Sequence, residues 1–530
     1  MSRVPHSKRD RYRALADDLE PSAPDEPQSS SVRDACPQRF PVQTHAYQPD
    51  TRSDLESSTR SGVKWNFASQ GGQQITQLLT TIVLARLLVP ADFGLLGMAT
   101  VVIGLVSMFK DLGTAAAVIQ AREPTGRLLS SVFWANVTFG CLGAGFLILI
   151  APYVATFYNQ PRMTAILRVL ALNFAISGFS ILQQALFERK LHFRALARVE
   201  MTGVLAGGII GITYASAGGG VWALVAQSIT STTCISLLLW RLSDWRPRML
   251  FCWAELRRVA GFSLNLTGFN VFNYVVRNAD YLLIGRFLGA APLGIYTLAY
   301  RIMLYPLQSV TTVIGRVMFP VYSKLQDDDE RFRTAYISTA GIIAVITFPL
   351  MIGVCVLADP LIHAVFGAKW MGAVPLIRIL APIGMMQSVA ATVGAIYQAK
   401  GRTDTLFRWG VFTGLLSVSA FLIGLHWGII GVATAYAILS ALLVLPNFII
   451  PFRFIHLRLR QVGVVLMRPV VASLLMAVGI LLLRAAIARS PHAVVLGASI
   501  ATGCALYGVA SWTMNRDQLC AVLALVGWRP

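Results

Sequence analysis

The chain has 530 residues, 55% of them hydrophobic and only 13% charged, where an ordinary soluble domain is roughly a quarter charged. With a mean hydropathy of +0.62 a water-soluble enzyme is set aside: apolar runs of about twenty residues recur, each long enough to cross a ~30 Å hydrocarbon core. The net charge of +20 comes from 45 Lys and Arg against 25 Asp and Glu; these are scattered over short loops, which points to anionic membrane lipids as partners and to no nucleic acid.

Residues 1–62 are rich in Ser, Pro, Asp and Arg with few large apolar side chains, the composition of a disordered cytoplasmic tail. The tail lacks the apolar stretch of a cleavable signal, so the first span must direct insertion. Fourteen spans then follow near 66–86, 94–118, 130–150, 164–186, 200–216, 220–240, 260–285, 293–319, 335–357, 372–398, 407–425, 429–451, 466–487 and 492–513. The seven cysteines (Cys36, Cys141, Cys234, Cys252, Cys355, Cys504, Cys520) show neither CxxC nor Cys/His ligand spacing. They read as small core-facing residues.

The connecting loops alternate in charge. One set carries Arg122 and Arg127; Arg189, Lys190, Arg194 and Arg198; Arg241, Arg246, Arg248, Arg257 and Arg258; Lys324, Arg331 and Arg333; Lys400, Arg402 and Arg408; and Arg453, Arg458, Arg460 and Arg468. The other holds Arg86, Arg162, Arg286, Lys369, Arg484 and Arg489. The positive-inside rule makes the first set cytoplasmic, with both termini on that side.

An internal repeat accompanies this pattern. LARLLVPADFGLLGMA from Leu84 is echoed by IGRFLGAAPLGIYTLA from Ile284, so Arg86, Leu88, Ala91, Gly94 and Ala99 meet Arg286, Leu288, Ala291, Gly294 and Ala299 at one offset. Thr202-Gly203 and Gly220-Val221 recur more weakly as Thr413-Gly414 and Gly431-Val432. Six spans separate the copies, so the lobes share an orientation and a pseudo-twofold axis lies along the membrane normal. The expected fold is therefore all-α and polytopic, with about fourteen transmembrane helices. An N-lobe spans residues 63–242, a C-lobe 243–455, and a helix pair with a short tail fills 456–530. Parallel repeats of this kind are a transporter architecture with the substrate site between the lobes.

Charges inside spans are costly and are functional candidates by default. Span 7 is the most polar, with Asn265, Asn270, Asn273, Arg277 and Asp280. The i, i+3 spacing of Arg277 and Asp280 puts both on one face, close enough to pair, either as a lock between helices or as a contact for substrate or coupling ion. Lys110 and Asp111 fall in span 2, and Arg301 and Arg316 in span 8; Arg301 suits an anionic head group and Arg316 an interfacial anchor. Span 1 supplies Asn66, Gln70, Gln73, Gln74 and Gln77, which suit sugar hydroxyls or interhelical bonds. Arg86 and Arg286 read as interface-level caps, and Asp327-Asp328-Asp329-Glu330 as a solvated loop. Nothing in the sequence calls for a metal or cofactor. No Walker A loop is present, so energy must come from a gradient or a partner.

LARLLVPADFGLLGMA, FKDLGTAAAVIQ from Phe109, LQQALFERKLHFRALA from Leu182, GVWALVAQ from Gly220, RNADYLLIGRFLGAAPLGIYTLAYR from Arg277, FPVYSKLQ from Phe319 and GRTD from Gly401 together resemble the polysaccharide-transport family. Its members are lipid-linked oligosaccharide flippases of the multidrug/oligosaccharidyl-lipid/polysaccharide exporter superfamily; the resemblance is to the colanic-acid, xanthan and teichuronic-acid exporter branch and covers nearly everything after residue 62. It implies translocation of an undecaprenyl-pyrophosphate-linked repeat unit to the periplasmic leaflet of a bacterial inner membrane, for exopolysaccharide or lipopolysaccharide biosynthesis. Alternating access coupled to H+ or Na+ antiport is implied, with polysaccharide polymerase or export machinery as a partner. On that reading Arg277 and Arg301 bind the pyrophosphate and Asp280 or Asp111 couples the ion. Asn270, Asn273, Gln70, Gln73 and Gln77 are the further substrate-binding candidates. Two rivals stand beside it. A drug or cation antiporter on the same scaffold favours an acidic cavity, whereas in-span basic residues outnumber acidic ones here. A membrane glycan polymerase or ligase needs larger outer loops than 151–163 and 358–371, which offer Arg162, Asp359, His363 and Lys369.

Overall fold

The computed structural model describes residues 71–108, 118–119, 125–253 and 264–525; the side chains of 264–270, of 521–525 and of several positions between 306 and 319 lie outside that description. The expected tail, Asn66, Gln70, Lys110 and Asp111 also lie outside the described residues. Among the described residues every regular element is a helix. The chain is a multi-pass membrane protein.

Where their residues are described, the expected spans fall on helices or interrupted helices. In chain order these are α1 (71–87), α2 (Pro90–Ser107), α3 (Gly126–Tyr158), α4 (Arg162–Leu170), α5 (Leu172–Gly178), α6 (Ile181–Arg189), α7 (Phe193–Ser216) and α8 (Val221–Leu242). The C-terminal half continues with α9 (Leu264–Arg277), α10 (Ala279–Phe287), α11 (Ala290–Lys324), α12 (Asp329–Val356), α13 (Ala373–Ala390), α14 (Val393–Ala399), α15 (Thr403–Gly424) and α16 (Gly428–Phe452). Then come α17 (Leu459–Ala486), α18 (His492–Met514) and α19 (Arg516–Leu525). By length and hydropathy nine stretches of the described residues suffice to cross a membrane, ten if the pair Arg162–Gly178 and Ile181–Arg189, bent by 43°, counts as one span. One of the nine, Thr403–Ile455, is 53 residues long and contains two helices. The measure covers the described residues alone, in which several spans are interrupted, and it does not reach fourteen crossings.

The helices pair as hairpins where the turn chemistry allows. Gly428 adopts φ +69°, and α15 and α16 fold back there. Phe421 consequently meets Tyr436 at 5.5 Å between ring centroids, and the Trp409 indole donates to Asn447 Oδ1 at 3.1 Å. α7 and α8 form the matching hairpin of the N-terminal half. α17 and α18 pack on each other and on α12, where Tyr507 donates to Val345 O (2.7 Å) and Arg484 to Val356 O (2.6 Å). The segment after α18, expected as a short tail, is helical through Leu525 and also packs on α12.

The largest apolar cluster takes residues from both halves, among them Leu84, Met98, Leu147 and Tyr158 with Ile284, Tyr296, Trp370 and Leu376. It exists because α2 and α11 cross in near backbone contact at the two repeat-related glycines. A Cβ on Gly94 would lie 1.7 Å from Ala290 O, and one on Gly294 would lie 1.8 Å from Pro90 O. Only glycine permits such an approach, the small-residue crossing of membrane helices. The reciprocity is what a twofold relation between the two copies requires.

The cysteine reading is corrected. None of the six described cysteines is fully buried, and Cys141 and Cys504 are exposed. In a membrane-spanning chain apolar side chains face lipid as well as the interior, so a small apolar residue carries no inward bias.

Candidate functional site

The polar centre of the C-terminal half is built on a broken helix. The span expected at 260–285 is interrupted: the helix stops at Arg277, Asn278 takes φ −113° and ψ 12°, and a new helix starts at Ala279. Asn278 holds the break by donating its side-chain amide to Tyr274 O (2.8 Å). The Tyr274 hydroxyl in turn donates to Val101 O (3.1 Å), fastening α9 to α2. The break places Arg277 in the last turn of α9 and Asp280 in the first turn of α10. Each charge therefore sits at the helix end whose dipole favours it. Discontinuous helices with charged ends are how transporters build ion and substrate sites at bilayer depth.

That break also undoes the expected pairing. Arg277 and Asp280 form no ion pair among the described residues, because i, i+3 neighbours share a face only on an uninterrupted helix. Asp280 points inward and is 3% exposed, with Oδ2 accepting from the Tyr296 hydroxyl (2.9 Å) and Oδ1 from the Tyr281 backbone amide (2.9 Å). Tyr281, Tyr296 and Tyr300 pack around it, with ring centroids 5.8–6.3 Å apart. Tyr436 of α16 lies within electrostatic reach of Asp280 and accepts a hydrogen bond from Gln387 of α13 (2.6 Å). Arg277 and Arg301 are exposed and flank the same tyrosines, Arg277 near Tyr300 and Arg301 near Tyr281. Neither guanidinium has a hydrogen-bond or ion-pair partner among the described residues. The arrangement is a buried carboxyl held by neutral donors, next to two free cations.

The other expected residues lie apart from this cluster or outside the description. Asn273 is exposed on α9, and of Asn270 only its helical backbone is described. Gln73 of α1 donates to Glu200 of α7 at 2.8 Å, while Gln77 is exposed and accepts through its backbone oxygen from Thr81 (2.7 Å). Gln74 O accepts from the Tyr305 hydroxyl of α11 (3.0 Å), a bond between the halves. Glu200 and the four tyrosines were missed. Glu200 sits seven residues into α7, which starts before the expected span, and tyrosines carry no sequence mark separating a carboxyl cage from ordinary packing. The spacing of Tyr296 and Tyr300, i and i+4 on one helix face, was the available signal.

The acidic run does more than face solvent: Asp328 caps α12 by accepting from Arg331 N (3.0 Å), and Asp329 pairs with Lys400 at 2.7 Å. No cluster of three or more metal-ligating side chains occurs among the described residues.

The fold and the polar cluster define the class first: a helical membrane protein with the architecture of lipid and multidrug transporters. The lipid II flippase MurJ in an inward closed conformation superposes with a TM-score of 0.67 at 16% identity, covering 86% of this chain and 99% of that one. An inward-facing multidrug resistance MATE family transporter of the MOP superfamily superposes at 0.56, also at 16% identity, covering 72% and 94%. The chain belongs to the family described as "Polysaccharide biosynthesis protein", whose profile matches residues 83–375. Teichuronic acid biosynthesis protein TuaB of Bacillus subtilis (strain 168) is 30% identical over 395 residues, 74% of this chain and 80% of that protein. Lipopolysaccharide biosynthesis protein WzxC of Escherichia coli (strain K12) is 29% identical, covering 73% and 79%. Succinoglycan biosynthesis transport protein ExoT of Rhizobium meliloti (strain 1021) is 28% identical, covering 87% and 94%.

Proposed function

We propose that this protein is a flippase that carries an undecaprenyl-pyrophosphate-linked oligosaccharide from the cytoplasmic to the periplasmic leaflet of the inner membrane, for exopolysaccharide or lipopolysaccharide biosynthesis. Membership in the polysaccharide family supports the substrate class, and the likeness to transporter folds supports movement of a ligand in place of bond chemistry. The single observation that carries the assignment of roles is the pair of unpartnered guanidiniums beside the Asp280 cage. A pyrophosphate requires cations able to donate charge-assisted hydrogen bonds, and an arginine supplies them in a fork. Arg277 and Arg301 take that role. Gln73, Gln77, Asn270, Asn273 and Gln70 line the sugar path.

A buried carboxyl without an ion-pair partner is costly unless it exchanges a bound cation or proton during the cycle. Asp280 is that group, with H+ or Na+ as the coupling ion, and Asp111 is the second candidate. Alternating access runs between the lobes 63–242 and 243–455. Both termini lie in the cytoplasm, so Arg86 and Arg286 stand at the periplasmic end. Polysaccharide polymerase or export machinery receives the product.

The test is translocation of a labelled polyprenyl-pyrophosphate oligosaccharide in proteoliposomes under an H+ gradient, a Na+ gradient or none. Gradient-stimulated transfer is expected. No transfer under any gradient, or efflux of cationic drugs in its place, overturns the reading.

A further inference from the structure

We infer that Arg86 and Arg286 are the two arms of a reciprocal clasp that holds one end of the transport pathway shut, positioning residues that must both let go before that end opens. Arg86 closes α1 in the N-terminal half. Its Nε donates to Val365 O at 2.8 Å and its Nη2 to Ala364 O, both in the connection between α12 and α13 of the C-terminal half. Arg286 lies in the last turn of α10 in the C-terminal half. With the Asn159 amide turned to satisfy its neighbours, Arg286 Nη1 donates to Asn159 Oδ1 at 2.5 Å, and the guanidinium lies 5.7 Å from the Phe157 ring. Phe157 and Asn159 belong to the end of α3 and its connection to α4, in the N-terminal half. Each repeat-related arginine thus reaches across to the other half's corresponding loop.

Each arm is backed by an aromatic plug placed by the same exchange. Trp370 from the second loop is fully buried, donates to Ala85 O at 2.8 Å and meets Phe93 edge-on at 5.2 Å. Tyr158 from the first loop is 1% exposed and packs against Gly285, its ring 2.8 Å from where a Cβ would stand. Residues 85 and 86 are therefore answered by 285 and 286, and the 364–370 loop by 157–159. Lys369 adds a bond to Leu88 O at 2.7 Å. The glycine crossing of α2 and α11 lies between the arms.

The chemistry of the arms suits release. Both arginines bond neutral oxygens, Arg86 being exposed and Arg286 half-buried, so water replaces the partners when the loops separate. A charge-assisted bond of this kind shifts an equilibrium about tenfold. The arms hold different loops against one closed state, so their effects multiply.

The inference rests on the alternating-access reading, and its test uses no substrate so that the two fail separately. A cysteine-free full-length chain carrying Ala165→Cys and Ala368→Cys, both exposed and beside the two loops, is spin-labelled in nanodiscs. The inter-label distance is read by double electron–electron resonance. Arg86→Gln and Arg286→Gln are each expected to raise the ratio of long to short distances about tenfold, and the double variant about a hundredfold. Arg86→Lys and Arg286→Lys keep the charge without the fork and shift the ratio by less, which also covers a double variant that fails to fold. An unchanged distribution in the single variants overturns the clasp, as does a lower melting temperature without longer distances. Absence of translocation by the unmutated chain, with the distance shifts intact, overturns the transport reading and leaves the clasp standing.

Discussion

Asp280 and its two flanking arginines ask different things of their surroundings, and substitutions separate them. Asp280→Asn keeps the shape and the Tyr296 bond but removes the exchangeable charge. It is expected to abolish stimulation by an ion gradient in the proteoliposome assay while leaving slow downhill transfer. Tyr296→Phe removes the one side-chain donor to that carboxyl; gradient dependence is retained and the transport rate falls roughly tenfold, the effect of one hydrogen bond to a charged group. Arg277→Gln and Arg301→Gln are each expected to raise KM about tenfold for a pyrophosphate carrier, with a smaller rise for a monophosphate carrier. Equal effects on both carriers would remove the phosphate role. At this scale the sequence revealed the charged residues because charge inside an apolar span is rare. It concealed their geometry, because the i, i+3 argument assumes a continuous helix and Asn278 interrupts it. Tyr281, Tyr296, Tyr300 and Tyr436 were illegible for the opposite reason, since each is an ordinary residue in an apolar run.

At the scale of elements, the hydropathy pattern pointed to the membrane helices but not to α19 after the last span, because a backbone in lipid must satisfy its own hydrogen bonds and helices do so within one segment. It did not locate the interruptions in 162–189, at Asn278 or at Ala391–Thr392, which cost little once neighbouring helices cover them. The glycine crossing was visible as a repeated position only, since a close approach depends on a partner 200 residues away. Gly94→Val is expected to force α2 from α11 and stop transport in chain that still reaches the membrane; unimpaired transport by that variant would show the contact is dispensable. The start of α12 offers a pH test. The side-chain hydrogen bond from Lys400 holds the Asp329 carboxyl below the usual carboxylate range. A carboxyl with a lowered pKa in the folded chain stabilises it above the ordinary value of about 4 and loses that contribution as pH falls through the lowered value. The Asp329 side chain is 35% exposed, which limits the pair to less than about 1 kcal/mol. Lys400→Gln is therefore expected to melt slightly lower than the unmutated chain at pH 7, with the gap narrowing toward pH 3. A gap independent of pH would assign the loss to Lys400 packing on Phe332.

Across the molecule, Asp280, the carboxyl proposed to couple the ion, and the clasp inferred above share a nine-residue helix. Asp280 stands in the first turn of α10 and Gly285 and Arg286 in its last, with Tyr158 and Asn159 of the other half held at that end. A helix this short moves as a rigid rod, so a change in how Asp280 sits among Tyr281, Tyr296, Tyr300 and Tyr436, with Arg277 and Arg301 alongside, is delivered directly to the clasp. On the proposed role of Asp280, ion binding and opening would be linked as one coupling free energy, which in such systems is typically about 1–3 kcal/mol, or roughly 5- to 150-fold in the open-to-closed ratio. The spin-labelled chain measures it. The unmutated chain is expected to change its distance distribution with pH or with Na+, whichever ion couples, and Asp280→Asn is expected to fix that distribution at one value under all conditions. Arg286→Gln should keep the ion response but start from a more open baseline, because it loosens the readout without touching the sensor. If Asp280→Asn still follows the ion, the sensing carboxyl lies elsewhere and α10 is a passive strut.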